Sequence, residues 1–84
     1  MQSYDRFLEL LAVSDLAGME INVVQLVEFD DCFILLSYDN DDQVYLVNRF
    51  YKDVLDFDNT HCWESKYSDA LNAYINLIQS EAGK

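Results

Sequence analysis

Residues 32–38 read CFILLSY, and four apolar residues in succession, Phe33, Ile34, Leu35 and Leu36, decide what kind of strand this is. Side chains of a strand point alternately to its two faces. An unbroken apolar run therefore needs cover on both, as in a sheet buried on two sides. The neighbouring segments have the same character: residues 20–29 read EINVVQLVEF and residues 43–51 read QVYLVNRFY, rich in the β-branched and aromatic types that suit a pleated surface. Asp30-Asp31 separates the first two runs, short enough for a tight hairpin, and Asp39 to Asp42 separates the last two. Three antiparallel strands in a meander follow. The stretch from Asp53 to Glu64 reads either as a loop or as a fourth, edge strand.

Helical periodicity flanks the strands. Tyr4, Phe7, Leu8 and Leu11 fall at i, i+3, i+4 and i+7, one face of an amphipathic helix, with Ser3 as N-cap and Gly18 as the left-handed residue that ends it. Tyr67, Ala70, Leu71, Tyr74, Leu77 and Ile78 form a second stripe, with Ser65 or Ser68 as N-cap. The fold class expected is α+β: helix, antiparallel meander of three or four strands, helix. Two short helices are expected on one face of the sheet. The other face, carrying either Tyr45, Val47 and Tyr51 or Val44, Leu46 and Phe50, is then partly exposed, and three covers compete for it. These are the Asp53–Glu64 segment with Phe57 and Trp63 folded back, a second copy of the chain in a homodimer through the sheet face, or a different partner.

The chain has 84 residues, no proline and two glycines, so one domain is expected, with an ordered core from roughly residue 3 to residue 80. Its 51% hydrophobic content, with six Tyr, five Phe and one Trp, supplies a core and argues against disorder. The longest apolar run, Cys32 to Leu36, is far short of the ~18 residues that cross a bilayer. MQSYDRFLELL carries Asp5 and Glu9 and no basic n-region, so no signal peptide is read and the cytoplasm is the expected location. Cys32 and Cys62, the only cysteines, are expected as reduced thiols there.

Residues 54–60, VLDFDNT, resemble the first motif of the haloacid dehalogenase superfamily, DxDx(T/V) after an apolar strand. The resemblance implies Asp56 as a phosphoryl-accepting nucleophile, Asp58 as general acid/base and Thr60 as a supporting hydroxyl, working with magnesium. The surroundings depart from that pattern. Lys52 and Asp53 interrupt the strand, His61 stands where an apolar residue is usual, and only 24 residues follow Thr60 to supply a lysine and metal-binding acids. No catalytic residue is therefore assigned.

Metal and cofactor readings fare no better. An EF-hand loop over the Asp39–Asp42 turn would need a ligand at Gln43 and glycine at Val44. A zinc site would rest on Cys32, His61, Cys62 and a carboxylate, with no CxxC or HxxxH spacing. Neither a metal nor a cofactor is expected.

The strongest global feature is charge: sixteen Asp and Glu against five Lys and Arg, a formal net charge of -11. Such a chain repels nucleic acid and anionic membranes, and its natural partners are basic. In a meander, Asp30, Asp31, Asp53, Asp56 and Asp58 gather at one end, with Glu28 leaning toward them, and Asp39, Asp41 and Asp42 at the other, ~20 Å away. In size, charge and lack of catalytic machinery the chain is similar to phage-encoded anti-CRISPR proteins and other DNA mimics, a resemblance of type without a shared motif. It implies an inhibitor of a basic nucleic-acid-handling protein such as a Cas effector, in a bacterial cytoplasm. Those carboxylates would stand in for phosphates, with Tyr38, Tyr45, Tyr51 and Trp63 as anchors. Two other readings are an immunity or antitoxin protein for a cationic nuclease toxin, and a small dimerising accessory domain.

Overall fold

The computed structural model describes residues 2–60 and 62–84. The zinc set and the state of the Cys62 thiol depend on His61 or on the Cys62 side chain and lie outside the described residues. The elements run α1 (Gln2–Ala12), β1 (Asn22–Glu28), β2 (Cys32–Asp39), β3 (Val44–Tyr51), β4 (Asp56–Phe57), β5 (Cys62–Glu64) and α2 (Tyr67–Ala82). Every strand pairing is antiparallel, in the order β1-β2-β3, with β4 and β5 sharing the outer edge of β3. The fold is α+β, and its centre is the meander read from the sequence. Among the described residues, no helix is long and apolar enough to cross a membrane.

The Asp30-Asp31 hairpin is closed by the Phe29 N–H donating to the Cys32 carbonyl at 2.8 Å. The β2–β3 turn is held by the Asp39 carboxylate, which accepts from the backbone N–H groups of Asp41 at 2.9 Å and Asp42 at 3.3 Å. This is the local bonding that makes aspartate a turn residue. Gln43 then takes φ 56°.

Alternation along β2 and β3 sorts the core into two clusters. Cys32, Ile34, Leu36 and Val47 pack against Ala70, Tyr74 and Leu77 of α2. Phe33, Leu35 and Phe50 pack against Phe7 and Leu11 of α1. The helices thus lie on opposite faces of the sheet, which corrects the expectation that both share one. Each helix carries a single apolar stripe, and the run in β2 has two faces to satisfy, so one stripe goes to each. On the α1 face Phe7 meets Phe33 and Phe50 edge-on at centroid distances of 5.6 and 5.4 Å. Phe57 extends the group, 5.1 Å from Phe50. Each such burial contributes about 1.5–3 kcal/mol.

Three helix boundaries differ from expectation. Helix α1 begins at Gln2, so Ser3 lies inside it rather than capping it. Helix α1 stops at Ala12 rather than reaching Gly18. The Ser14 hydroxyl donates to the Leu11 carbonyl at 2.7 Å and accepts from the Leu16 N–H at 3.1 Å. That turn competes with another round of helix. Gly18, at φ +90°, ends this tail. Lys66, rather than Ser65 or Ser68, occupies the N-cap of α2, and no side chain caps the helix there.

The Asp53–Glu64 stretch is both loop and strand. Phe57 sits opposite Phe50, and Trp63 opposite Leu46, with a detour between β4 and β5. At the detour the Asp58 N–H donates to the Arg49 carbonyl at 3.0 Å and the Asp58 carboxylate accepts from the Arg49 N–H at 2.8 Å. One aspartate thereby satisfies both backbone groups of a strand residue that has lost its neighbour. Asn48 Nδ2 donates to Thr60 Oγ1 at 3.1 Å, tying down the far side of the detour.

Candidate partner-binding surface

The structure divides the acidic residues by their surroundings. Asp30 and Asp31 in the hairpin lie beside Asp53 and Asp56, since the Lys52 N–H donates to the Asp31 carbonyl at 3.0 Å and Asp56 pairs with Tyr51. All four are exposed. Asp39, Asp41 and Asp42 lie at the opposite end, Asp39 half-buried by its turn bonds and the other two exposed.

Three carboxylates are turned to internal use. Glu28 takes Arg6 Nε on Oε1 at 2.8 Å, with Arg6 Nη2 on the same oxygen, and Lys52 Nζ on Oε2 at 2.8 Å. The Arg6 hydrogen bond, reinforced by that of Lys52, holds its carboxyl down at about 2. Glu81 accepts from Arg49 Nε at 2.9 Å and Lys84 Nζ at 3.3 Å. Asp58 lies 3.5 Å from Arg49 Nη1. Burial opposes the charge of Arg49, but the Glu81 hydrogen bond and the Tyr51, Glu81 and Asp58 charges outweigh it and raise its pKa. Glu28 and Asp58, both expected on the binding surface, are therefore engaged with cations of the chain itself.

This arrangement has an electrostatic consequence. Among the described residues, Arg6, Arg49, Lys52 and Lys84, four of the five Lys and Arg, are held by three carboxylates. The remaining thirteen of sixteen acids stand in the outer field of the protein with little opposing charge. They are unevenly spread. The sixteen residues of α2 carry only Asp69 and Glu81, and Glu81 is buried.

The α1 face of the sheet is open over half its length. Helix α1 covers the Phe33–Phe50 half; over the Ser37–Leu46 half lies a cleft of about 550 Å³. Its apolar floor is Ile21, Leu35, Leu46 and Phe57, and Glu20, Asp39 and Asp41 bring carboxylates to it, as does Asp58, which Arg49 already engages. Asn22, Asn40, Asn48 and Thr60 supply neutral polar groups. Among the described residues, no Lys or Arg lines it. Of the two faces considered for exposure, the one with Val44, Leu46 and Phe50 is thus open, and only at its Leu46 end.

The four aromatics expected as anchors separate. Tyr38, Tyr45 and Tyr51 are half-buried on the α2 side. Tyr45 packs tilted against Tyr38 and edge-on against Tyr67 at centroid distances of 4.8 and 5.5 Å, and Tyr51 packs on the core there. Trp63 lies on the α1 side, next to Leu46 in the register, and is 61% exposed.

For the catalytic and metal readings the geometry is equally specific. Asp56 opens a two-residue antiparallel edge strand, whereas the dehalogenase motif belongs at the end of a buried parallel one. Its carboxylate accepts from the Phe57 N–H at 2.8 Å. Ligand atoms of Asp31, Cys32 and Glu81 lie within 4.8 Å of one another. Burial, then the nearby Glu81 and Asp31 charges, push the Cys32 thiol up to about 12, and Arg49 and Lys84 already occupy Glu81. A thiol kept protonated and a carboxylate already paired are a poor donor set for a divalent ion.

Sequence reasoning missed the Arg49–Glu81 pair, although a signal was present. Glu81 falls on the same helical stripe as Ala70, Tyr74 and Leu77, and Arg49 shares a strand face with Val47. Charged residues on two facing apolar surfaces are natural partners. The cleft carried no such signal, because it exists only where a helix ends.

A scan against protein-family models and searches of curated proteins and solved structures find no match to this chain.

Proposed function

We propose that the protein is a non-catalytic acidic inhibitor, with a basic nucleic-acid-handling protein of the Cas-effector type as its target. Its carboxylates take the places of phosphates and so block the binding of DNA or RNA. The observation that supports this reading is the pairing, among the described residues, of four cations with three carboxylates, which leaves thirteen acids outside those pairs, eleven of them exposed, on a body 33 Å long. Duplex DNA of that length presents about 19 phosphates at one per ~1.7 Å. The eleven exposed carboxylates are more than half that number, spread over the whole surface.

The test is capture of partners by tagged protein from a bacterial lysate, with the captured protein identified by mass spectrometry. A basic nucleic-acid-handling protein is expected, its affinity falling steeply with added salt and in competition with nucleic acid. Affinity indifferent to both sinks the mimicry. Charge reversal of Asp30 and Asp31 is then compared with charge reversal of Asp39, Asp41 and Asp42, and one end is expected to dominate. An immunity protein would use the same surface against a nuclease toxin, and the identity of the captured protein separates the two.

A further inference from the structure

We infer that the cleft between the α1–β1 connection and the β2–β3 turn seats an arginine side chain from a basic segment of the partner, with Trp63 as its stacking platform. The inference rests on the proposed function for the nature of the guest and goes beyond it in placing the contact at one site.

Charge comes first. The cleft gathers Glu20, Asp39 and Asp41 beside Asp58, the one lining acid that a cation of the chain already holds, and among the described residues no Lys or Arg lines it. In a chain whose cations are otherwise drawn to carboxylates, this concave negative site is left to an external cation. Low-dielectric walls sharpen the effect, because a charged cleft with an apolar floor concentrates the field more than a convex patch does. The Asp30–Asp31 hairpin is an exposed turn.

Shape and chemistry come second. A volume of about 550 Å³ lies in the range of small-ligand pockets, and an apolar floor with a few polar groups at the mouth is their usual construction. Arginine matches it in layers. Its methylene stem lies along Ile21 and Leu46, and its guanidinium reaches the rim, where a planar fork bonds carboxylates and Asn side-chain oxygens together. Trp63 sits next to Leu46 on this side of the sheet and is 61% exposed. Trp63 does not line the cleft itself but stands opposite Leu46, which does; an exposed indole one strand beyond that wall suits a cation–π contact with a side chain entering there, and guanidinium stacks on it better than ammonium does.

Full-length isotope-labelled protein titrated with acetylated hexa-arginine amide tests this directly. Amide shifts are expected to saturate and to concentrate at Ile21, Asn22, Leu46, Asn48 and Trp63, and the fluorescence of the single tryptophan should change in parallel. Glu20→Gln with Asp41→Asn removes two charges at the cleft; Asp30→Asn with Asp31→Asn removes two at the other end. The first pair is expected to weaken binding about tenfold and the second about twofold or less. Trp63→Ala should weaken hexa-arginine about fivefold and hexa-lysine amide less. Equal losses from the two charge pairs, or shifts centred on Asp30, Asp31 and Asp53, overturn the inference. Spectra of each variant matching the parent outside the altered site exclude misfolding as the cause of a loss.

The two proposals fail separately. A captured target that binds the Glu20→Gln, Asp41→Asn protein as well as the parent removes the arginine seat and leaves the inhibitor reading standing. Hexa-arginine filling the cleft, with no nucleic-acid-handling protein ever captured, does the reverse.

Discussion

The two faces of the sheet solve the same problem with different means. On the α2 face a sixteen-residue helix spans the strands, and its last turn is pinned by the buried Glu81–Arg49 pair. On the α1 face an eleven-residue helix reaches only as far as a cluster of phenylalanines, and the strand surface beyond is left as a cleft. Each face holds its helix with an ion pair, Arg49–Glu81 on one and Arg6–Glu28 on the other; the difference is helix length, and the shorter helix leaves its face open. The lesson is that net charge alone says little about where a protein is acidic. Placing the cations decides it, and here they sit at Glu28, Asp58 and Glu81.

The comparison is broken most severely at Phe7, the fully buried ring that joins α1 to Phe33, Phe50 and Phe57. Phe7→Ala is expected to cost about 4 kcal/mol in chemical denaturation, by lost burial and the cavity left behind. It should loosen α1 while the amide spectrum of α2 stays in place.

The α2 face breaks differently. Arg49→Met strands Glu81 at 8% exposure with only Lys84 beside it, and a loss of about 3 kcal/mol is expected. Arg49→Met combined with Glu81→Leu should recover most of it, since an apolar pair there leaves no charge unmatched. No recovery in the double variant would mean that Asp58, rather than Glu81, is the partner that matters.

A pH series sharpens the contrast at smaller amplitude. The carboxyl of Glu28 is held at about 2 in the folded chain against an ordinary value of 4.5, so the folded state binds that proton more weakly than the unfolded chain does. Its stabilising contribution is complete above about pH 4.5 and is lost as pH falls toward about 2. Wild type and Glu28→Gln, compared by urea denaturation, should differ at pH 6 and converge by about pH 2. A gap that persists at the acid limit would show that Glu28 acts through packing. The smallest effect on stability belongs to Trp63→Ala, within about 0.5 kcal/mol because the ring is mostly in water. Stability that hardly moves while arginine-peptide binding falls would mark the open face as a surface for contact rather than for folding.

How much of this was legible in the sequence differs between the strands and everything that packs on them. The meander was readable because alternation, the CFILLSY run and aspartate-rich turns are local signals. The α2 stripe held for the same reason, with Ala70, Tyr74 and Leu77 buried. Which face each helix takes was not readable, because it depends on the path of residues 13–21, where Ser14 ends α1 early and no periodicity reports direction. The two acidic ends follow from the topology, but the internal ion pairs of Glu28 and Asp58 do not. Their roles depend on Arg6, Lys52 and Arg49, which lie 22, 24 and 9 residues away in sequence. VLDFDNT is the clearest case. Read locally it resembles a phosphatase signature, and in the fold it is the hinge of a split edge, where Asp58 answers the backbone of Arg49 and Phe57 closes the α1-side core.

That split edge also bears on how the protein behaves in crowded solution. An uninterrupted outer strand invites other chains to add on in register, the first step toward fibrils and toward capture of extended peptides. Here one margin is cut into β4 and β5 by the Asp58–Thr60 detour, and the other carries a bulge between Val23 and Gln25 in β1. Neither side offers a continuous template, so a hydrophobic meander can be made in quantity without growing sideways into aggregates.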